Sequence, residues 1–162
     1  MSRPRDSQRS KVYKAEVEAF PGIHEAAWGT LDECEAFAER VKATDYWQSN
    51  DGWMKVSFGD GRGRRRACYK GAFRRVCLPK WARNRWVIVH EMAHCLTHKT
   101  HGMDVPAHGS TFCTHYAHLA RELFGTGAAA LLVAKFNEHG ASHNAQHFLD
   151  AVVAEWIGEA AA

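Results

Sequence analysis

The stretch Trp86-Val-Ile-Val-His-Glu-Met-Ala-His-Cys95 decides how the rest of the chain is read. It is helix-sized and holds His90-Glu91-x-x-His94, two imidazoles four residues apart with a carboxylate beside the first. On an α-helix, positions i and i+4 lie on one face, so both rings reach a common ion while the carboxylate leans over its open side. That is the spacing a zinc hydrolase requires. The same motif arises by chance on core helices, so a third ligand and a suitable scaffold must come from elsewhere in the chain.

Seven histidines lie between positions 90 and 118, and a catalytic zinc takes three protein ligands and a water. His98 continues the i+4 series, but a further turn along the helix. His101 comes near the metzincin spacing, which needs a histidine at 100, where Thr100 stands. Glu122 would be a carboxylate ligand from a later helix, as in gluzincin-like layouts. His108 follows a loop containing Gly102 and Pro106 and precedes another helical run, where the chain doubles back.

Around this centre the sequence divides into short elements. Residues 1–10 are polar and basic and read as a flexible arm. Val12, Tyr13, Val17 and Phe20 recur at helical spacing up to Pro21-Gly22. A second helix is predicted from Leu31 to about Ala43, with Thr30 as its N-cap and acids in its first turn. Trp53 to Phe58 and Arg65 to Tyr69, joined by Gly59-Asp-Gly-Arg-Gly63, are expected to form a hairpin, with Phe73 to Leu78 as a third strand before Pro79. The metal helix follows from about Ala82 to His98. Three more helices are predicted: one from Ser110 as N-cap to Phe124, one from Ala128 to His139, and one capped by Ser142. The expected fold class is therefore α+β, one domain with a small antiparallel sheet and a helical C-terminal layer.

The charge is unevenly spread. The net value is +3, yet Arg62 to Arg85 contains ten Lys or Arg and no acid, while the flanking parts are both net acidic. Such a block is the electrostatic footprint of a polyanion partner, and Arg62, Arg64, Arg65, Arg66, Arg74 and Arg75 are its candidate nucleic-acid-binding residues. A solvated charged face is the plainer alternative. Five cysteines without a C-x-x-C pair read as reduced thiols, and the first residues lack an apolar run, so a cytoplasmic protein is expected. No stretch of about 18 apolar residues exists, which argues against a membrane partner.

His90-Glu-Met-Ala-His94 followed by Ala107-His-Gly-Ser-Thr-Phe112 resembles the SprT-like zinc metallopeptidases, including their Spartan branch, which carry H-E-x-x-H, a variable loop and H-G-x-x-F. Ser110-Thr111 stand where that family has Pro-Glu. The whole chain also looks like small, uncharacterised metallohydrolases of actinobacteria and their phages. The first resemblance implies a zincin-like domain in which His90, His94 and His108 hold Zn2+ and Glu91 is the general base. The expected activity is peptide-bond hydrolysis by a zinc-bound water, on a protein or peptide substrate that includes nucleic-acid-associated proteins. Tyr116 and His115 are the candidates for an oxyanion donor. Two alternatives are a nucleic-acid-binding protein with a structural zinc and a prophage-type peptidase that cleaves one dedicated regulator.

Overall fold

The computed structural model describes residues 4–160. Helix α1 spans Arg9–Ala19, α2 Leu31–Lys42 and the short α3 Asp45–Ser49. Strands β1 (Ser57–Asp60), β2 (Cys68–Lys70) and β3 (Arg75–Leu78) follow, then α4 (Arg85–His101), α5 (Ser110–Phe124), α6 (Thr126–His139) and α7 (Gln146–Ala160). The class is α+β, mostly helical, with one small sheet.

That sheet is mixed, in the order β1-β3-β2, and the expected hairpin is absent. Strand β1 runs parallel to β3 with Phe58 opposite Val76, and β2 runs antiparallel to β3 with Cys68 opposite Cys77. Two local facts explain the departure. Gly59 and Asp60, read as turn residues, belong to β1 and pair with Cys77 and Leu78. The central position also suits the strand that is apolar on both faces. Val76-Cys77-Leu78 are all buried, whereas Arg62 to Arg66 are exposed and run as a loop between β1 and β2.

Helix α4 is the axis of the molecule. Residues Val87 to Ala93 and Cys95 to Thr97 are buried, so nearly the whole circumference is covered, as expected of a central helix. Its start is fixed by Asn84, whose Oδ1 accepts from the Val87 amide at 3.0 Å while its Nδ2 donates to the Ile23 and Glu25 carbonyls. One side chain thereby caps the helix and ties the loop after α1 to it. Helix α1 packs against α6 and presents Phe20 to Trp86, the rings stacked 4.3 Å apart. On the other side the turn that follows β2 approaches α4 so closely that a Cβ at Gly71 would lie 2.8 Å from the His98 ring.

The expected Thr30 cap is present as a full capping box, with Glu33 returning the hydrogen bond. Other limits differ from expectation: α4 runs Arg85–His101 rather than Ala82 to His98, and α6 begins at Thr126 rather than Ala128. Gly109, not Ser110, is the N-cap of α5; α7 begins at Gln146 rather than Ser142; and α3 has no counterpart in the sequence reading. Among the described residues no helix is long and apolar enough to cross a membrane.

Candidate metal centre

Helix α4 carries His90 and His94 one turn apart, and the loop entering α5 brings His108 against them. Ring centroids are 4.9 Å apart for His90 and His94, 5.4 Å for His90 and His108, and 4.7 Å for His94 and His108. One ligand atom from each ring lies within 4.8 Å of the other two, a spacing that suits three donors around one ion. Phe112, one turn after His108, packs on all three rings and stacks on His94 at 4.3 Å. Its apolar face limits where each imidazole can turn.

Two carboxylates that the sequence reading did not single out orient the rings. Glu16 on α1 bonds His90 Nδ1 at 2.7 Å, and Asp6 bonds His108 Nδ1 at 2.8 Å. The arm before α1 is thus anchored at the site rather than frayed: the His108 amide donates to Asp6 Oδ1, and Gln8 Nε2 donates to the His108 carbonyl. Residues 1–3 of that arm lie outside the described residues. With Nδ1 committed, Nε2 is the remaining ligand nitrogen on both rings, and His108 Nε2 is buried without a hydrogen-bond partner. A buried, orphaned imidazole nitrogen within reach of two other imidazoles is what a metal ligand looks like before the ion is added. The donor set therefore fits zinc.

The electrostatics follow from burial. For His90, burial alone would lower the pKa, but the charge and hydrogen bond of Glu16 outweigh it and the net shift is upward. His108 is pushed down to about 4 by burial and by the neighbouring His90, with Asp6 opposing. Glu91 is 4% exposed, its Oε2 has no hydrogen-bond partner, and burial raises its carboxyl to about 7. His90 and a backbone hydrogen bond from Tyr69 partly counter that rise. A cation beside Glu91 would draw it further back toward the ionised, basic form.

A cleft of about 560 Å³ opens onto Glu91, His94 and His108 and is also lined by Tyr13, Arg64, Arg65, Arg66 and His98. His98, a further turn along the helix, is not part of the cluster and bonds the Tyr69 hydroxyl at 3.2 Å. Glu122, the rival third ligand, is paired with Arg121 at 2.6 Å and is not part of the cluster. Neither expected oxyanion donor lines the cleft. Tyr116 is fully buried behind Phe112, and His115 is buried against Tyr46 and Thr100. Tyr13 does line it, with its ring 5.2 Å from His108 and 5.8 Å from His90. Burial lifts the Tyr13 hydroxyl to about 12, so it stays a donor at neutral pH.

The six candidate arginines do not form one patch. Arg64, Arg65 and Arg66 line the cleft, and the Arg66 guanidinium sits 6.0 Å above the Tyr13 ring. Arg62 pairs with Asp60, Arg75 lies back over Gly59, and Arg74 covers Trp53 at 4.6 Å. No family model, curated protein or solved structure matches the chain.

Proposed function

We propose that the chain is a zinc-dependent peptidase of the zincin type, with His90, His94 and His108 as ligands and Glu91 as general base. One observation carries this reading: three imidazoles converge within bonding reach of one ion, and the adjacent buried carboxyl opens onto the same cleft. Bound there, zinc supplies Lewis acidity toward a carbonyl oxygen and acidifies a coordinated water.

The protein groups do the rest. Glu91, raised to about 7 by burial and drawn back toward the ionised form by an adjacent cation, takes a proton from the attacking water and returns it to the leaving amine. Tyr13 stays protonated beside the ligand rings and donates to the oxygen that gains charge as the carbonyl is attacked. Glu16 and Asp6 hold the Nδ1 protons of their histidines and fix which nitrogen faces the ion. A purely structural zinc would leave Glu91 without a role: its carboxyl is desolvated at a cost, carries an unpartnered oxygen and faces a cleft.

Purified protein should hold one zinc per chain, lost on His108→Ala and retained on Glu122→Ala. Glu91→Gln should keep the zinc and the fold while abolishing peptide hydrolysis. Hydrolysis that survives Glu91→Gln removes the general base and with it the peptidase mechanism. A nucleic-acid-binding role for Arg62, Arg64, Arg65, Arg66, Arg74 and Arg75 gains no support from their dispersal over separate surfaces.

A further inference from the structure

We infer that the cleft takes acidic peptide segments bearing a bulky apolar side chain beside the bond to be cut. The inference rests on the peptidase reading above and names its substrate class.

Two chambers meet at the general base. The first carries Arg9, Arg64, Arg65 and Arg66. Among the described residues none of these four is ion-paired with a carboxylate. The acids in that chamber are Asp6, with both oxygens bonded to His108, and the buried Glu91. Four exposed guanidiniums without an acidic partner, gathered around one concave cleft, give a field that favours negative charge. Guanidinium groups also match the fork geometry of a carboxylate.

The second chamber is of similar size, about 560 Å³, with Val17, Ile23, Trp81 and Val87 as its apolar wall and Glu16, His24 and His90 on its polar side. Tyr13, Arg65, Arg66, Ala67 and Glu91 line both chambers. In an extended peptide, successive side chains point to opposite sides about every 3.3 Å. A chain passing Glu91 therefore directs neighbouring side chains into different chambers, one cationic and one apolar.

The same layout favours a peptide over a nucleic acid. A nucleic-acid strand needs basic groups along a continuous track, whereas Arg62, Arg74 and Arg75 do not line the cleft: Arg62 lies beside Asp60, Arg74 over Trp53 and Arg75 next to Gly59. The cations that remain unpaired in the cleft surround the metal triad and the general base, where a scissile bond must lie.

The test is to incubate the zinc-loaded full chain with a proteome-derived peptide mixture and map cut sites by mass spectrometry. Cut sites should be enriched in Asp or Glu on one side and in Phe, Leu or Trp on the other. On a fluorogenic acidic peptide, the Arg64→Glu/Arg66→Glu double variant should lose about tenfold or more in kcat/KM and gain on its lysine counterpart. Trp81→Ala should reduce cutting beside large apolar residues while leaving the acidic preference. Cleavage indifferent to acid-for-lysine exchange, or a selectivity that the charge reversal does not move, would overturn the inference while leaving a peptidase. So would a double variant that loses only single-stranded DNA binding. If wild-type protein cuts no better than Glu91→Gln, the peptidase reading itself fails. Charge selection is then read by anisotropy with the zinc-loaded Glu91→Gln protein: the acidic peptide should bind about tenfold tighter than its lysine counterpart, and equal binding sinks it.

Discussion

A histidine can offer one nitrogen to a metal and the other to the fold, and at the candidate site the Nδ1 contacts are as informative as the converging Nε2 atoms. Glu16 and Asp6 fix the rings of His90 and His108 from a segment remote in sequence. Removing their charge should loosen the site without unfolding the chain. Glu16→Gln and Asp6→Asn are each expected to weaken zinc binding by about tenfold, read by competition with a chromophoric chelator. Unchanged affinity would make both contacts incidental. Away from the site, His118 stacks on Tyr46 at 4.2 Å and has its pKa lowered to about 4 by burial first, then by His147 and Arg121. A histidine depressed in the folded state prefers its proton in the unfolded chain. Its contribution is therefore complete above pH 6.5 and is lost as the pH falls from there toward about 4. His118→Phe keeps the ring and removes the titration. It should reduce the stability lost between neutral and acidic pH by roughly 1 kcal/mol, a figure discounted for partial exposure, measured by urea midpoints at the two pH values.

At the level of elements, single side chains decide where helices start. Asn84 provides the cap of α4 and two hydrogen bonds to the loop before α2. Asn84→Ala should cost about 2–3 kcal/mol in denaturant unfolding, because it removes the cap and leaves two carbonyls without that donor. Asn84→Asp keeps the cap acceptor but sets a buried carboxylate oxygen against the Ile23 and Glu25 carbonyls, so it should cost at least as much at neutral pH. What was legible in the sequence follows the same logic of range. The Thr30–Glu33 capping box is a contact three residues long, and its helix was read with nearly its true limits. The His-Glu-x-x-His spacing is likewise local, and the His-Gly-x-x-Phe motif has a physical reason in Phe112, whose ring packs on all three imidazoles. Strand order was not legible, because it depends on which segment is buried on both faces rather than on turn residues. Helix α3, five residues under a Thr44 cap, is too short to show a period. Asp6 and Glu16 sit 102 and 74 residues from the rings they hold, so no sequence spacing points to them.

Across the whole molecule, the candidate metal centre joins three parts of the chain: the segment before and within α1, helix α4, and the entry to α5. An ion held there would favour the folded over the unfolded state in proportion to its binding. Most of the apolar burial does not involve the three histidines: Trp47, Ile88, Leu96, Leu119 and Phe136 are fully buried without being candidate ligands. Chelation should therefore lower the thermal midpoint by several degrees and leave the far-ultraviolet circular dichroism at room temperature unchanged. Loss of helical signal on chelation would mean that the zinc organises the fold rather than the chemistry.

The anchoring of Asp6 and Glu16 also sets an order of events during synthesis. The carboxylates emerge from the ribosome first, followed much later by the rings they orient, and α6, against which α1 packs, is later still. Helix α1 must therefore wait, with Val12, Ala15 and Phe20 uncovered, until most of the chain has been made. Over that interval the three histidines and the carboxylates that orient two of them are not yet assembled, so the candidate ligand set is completed only in the folded chain.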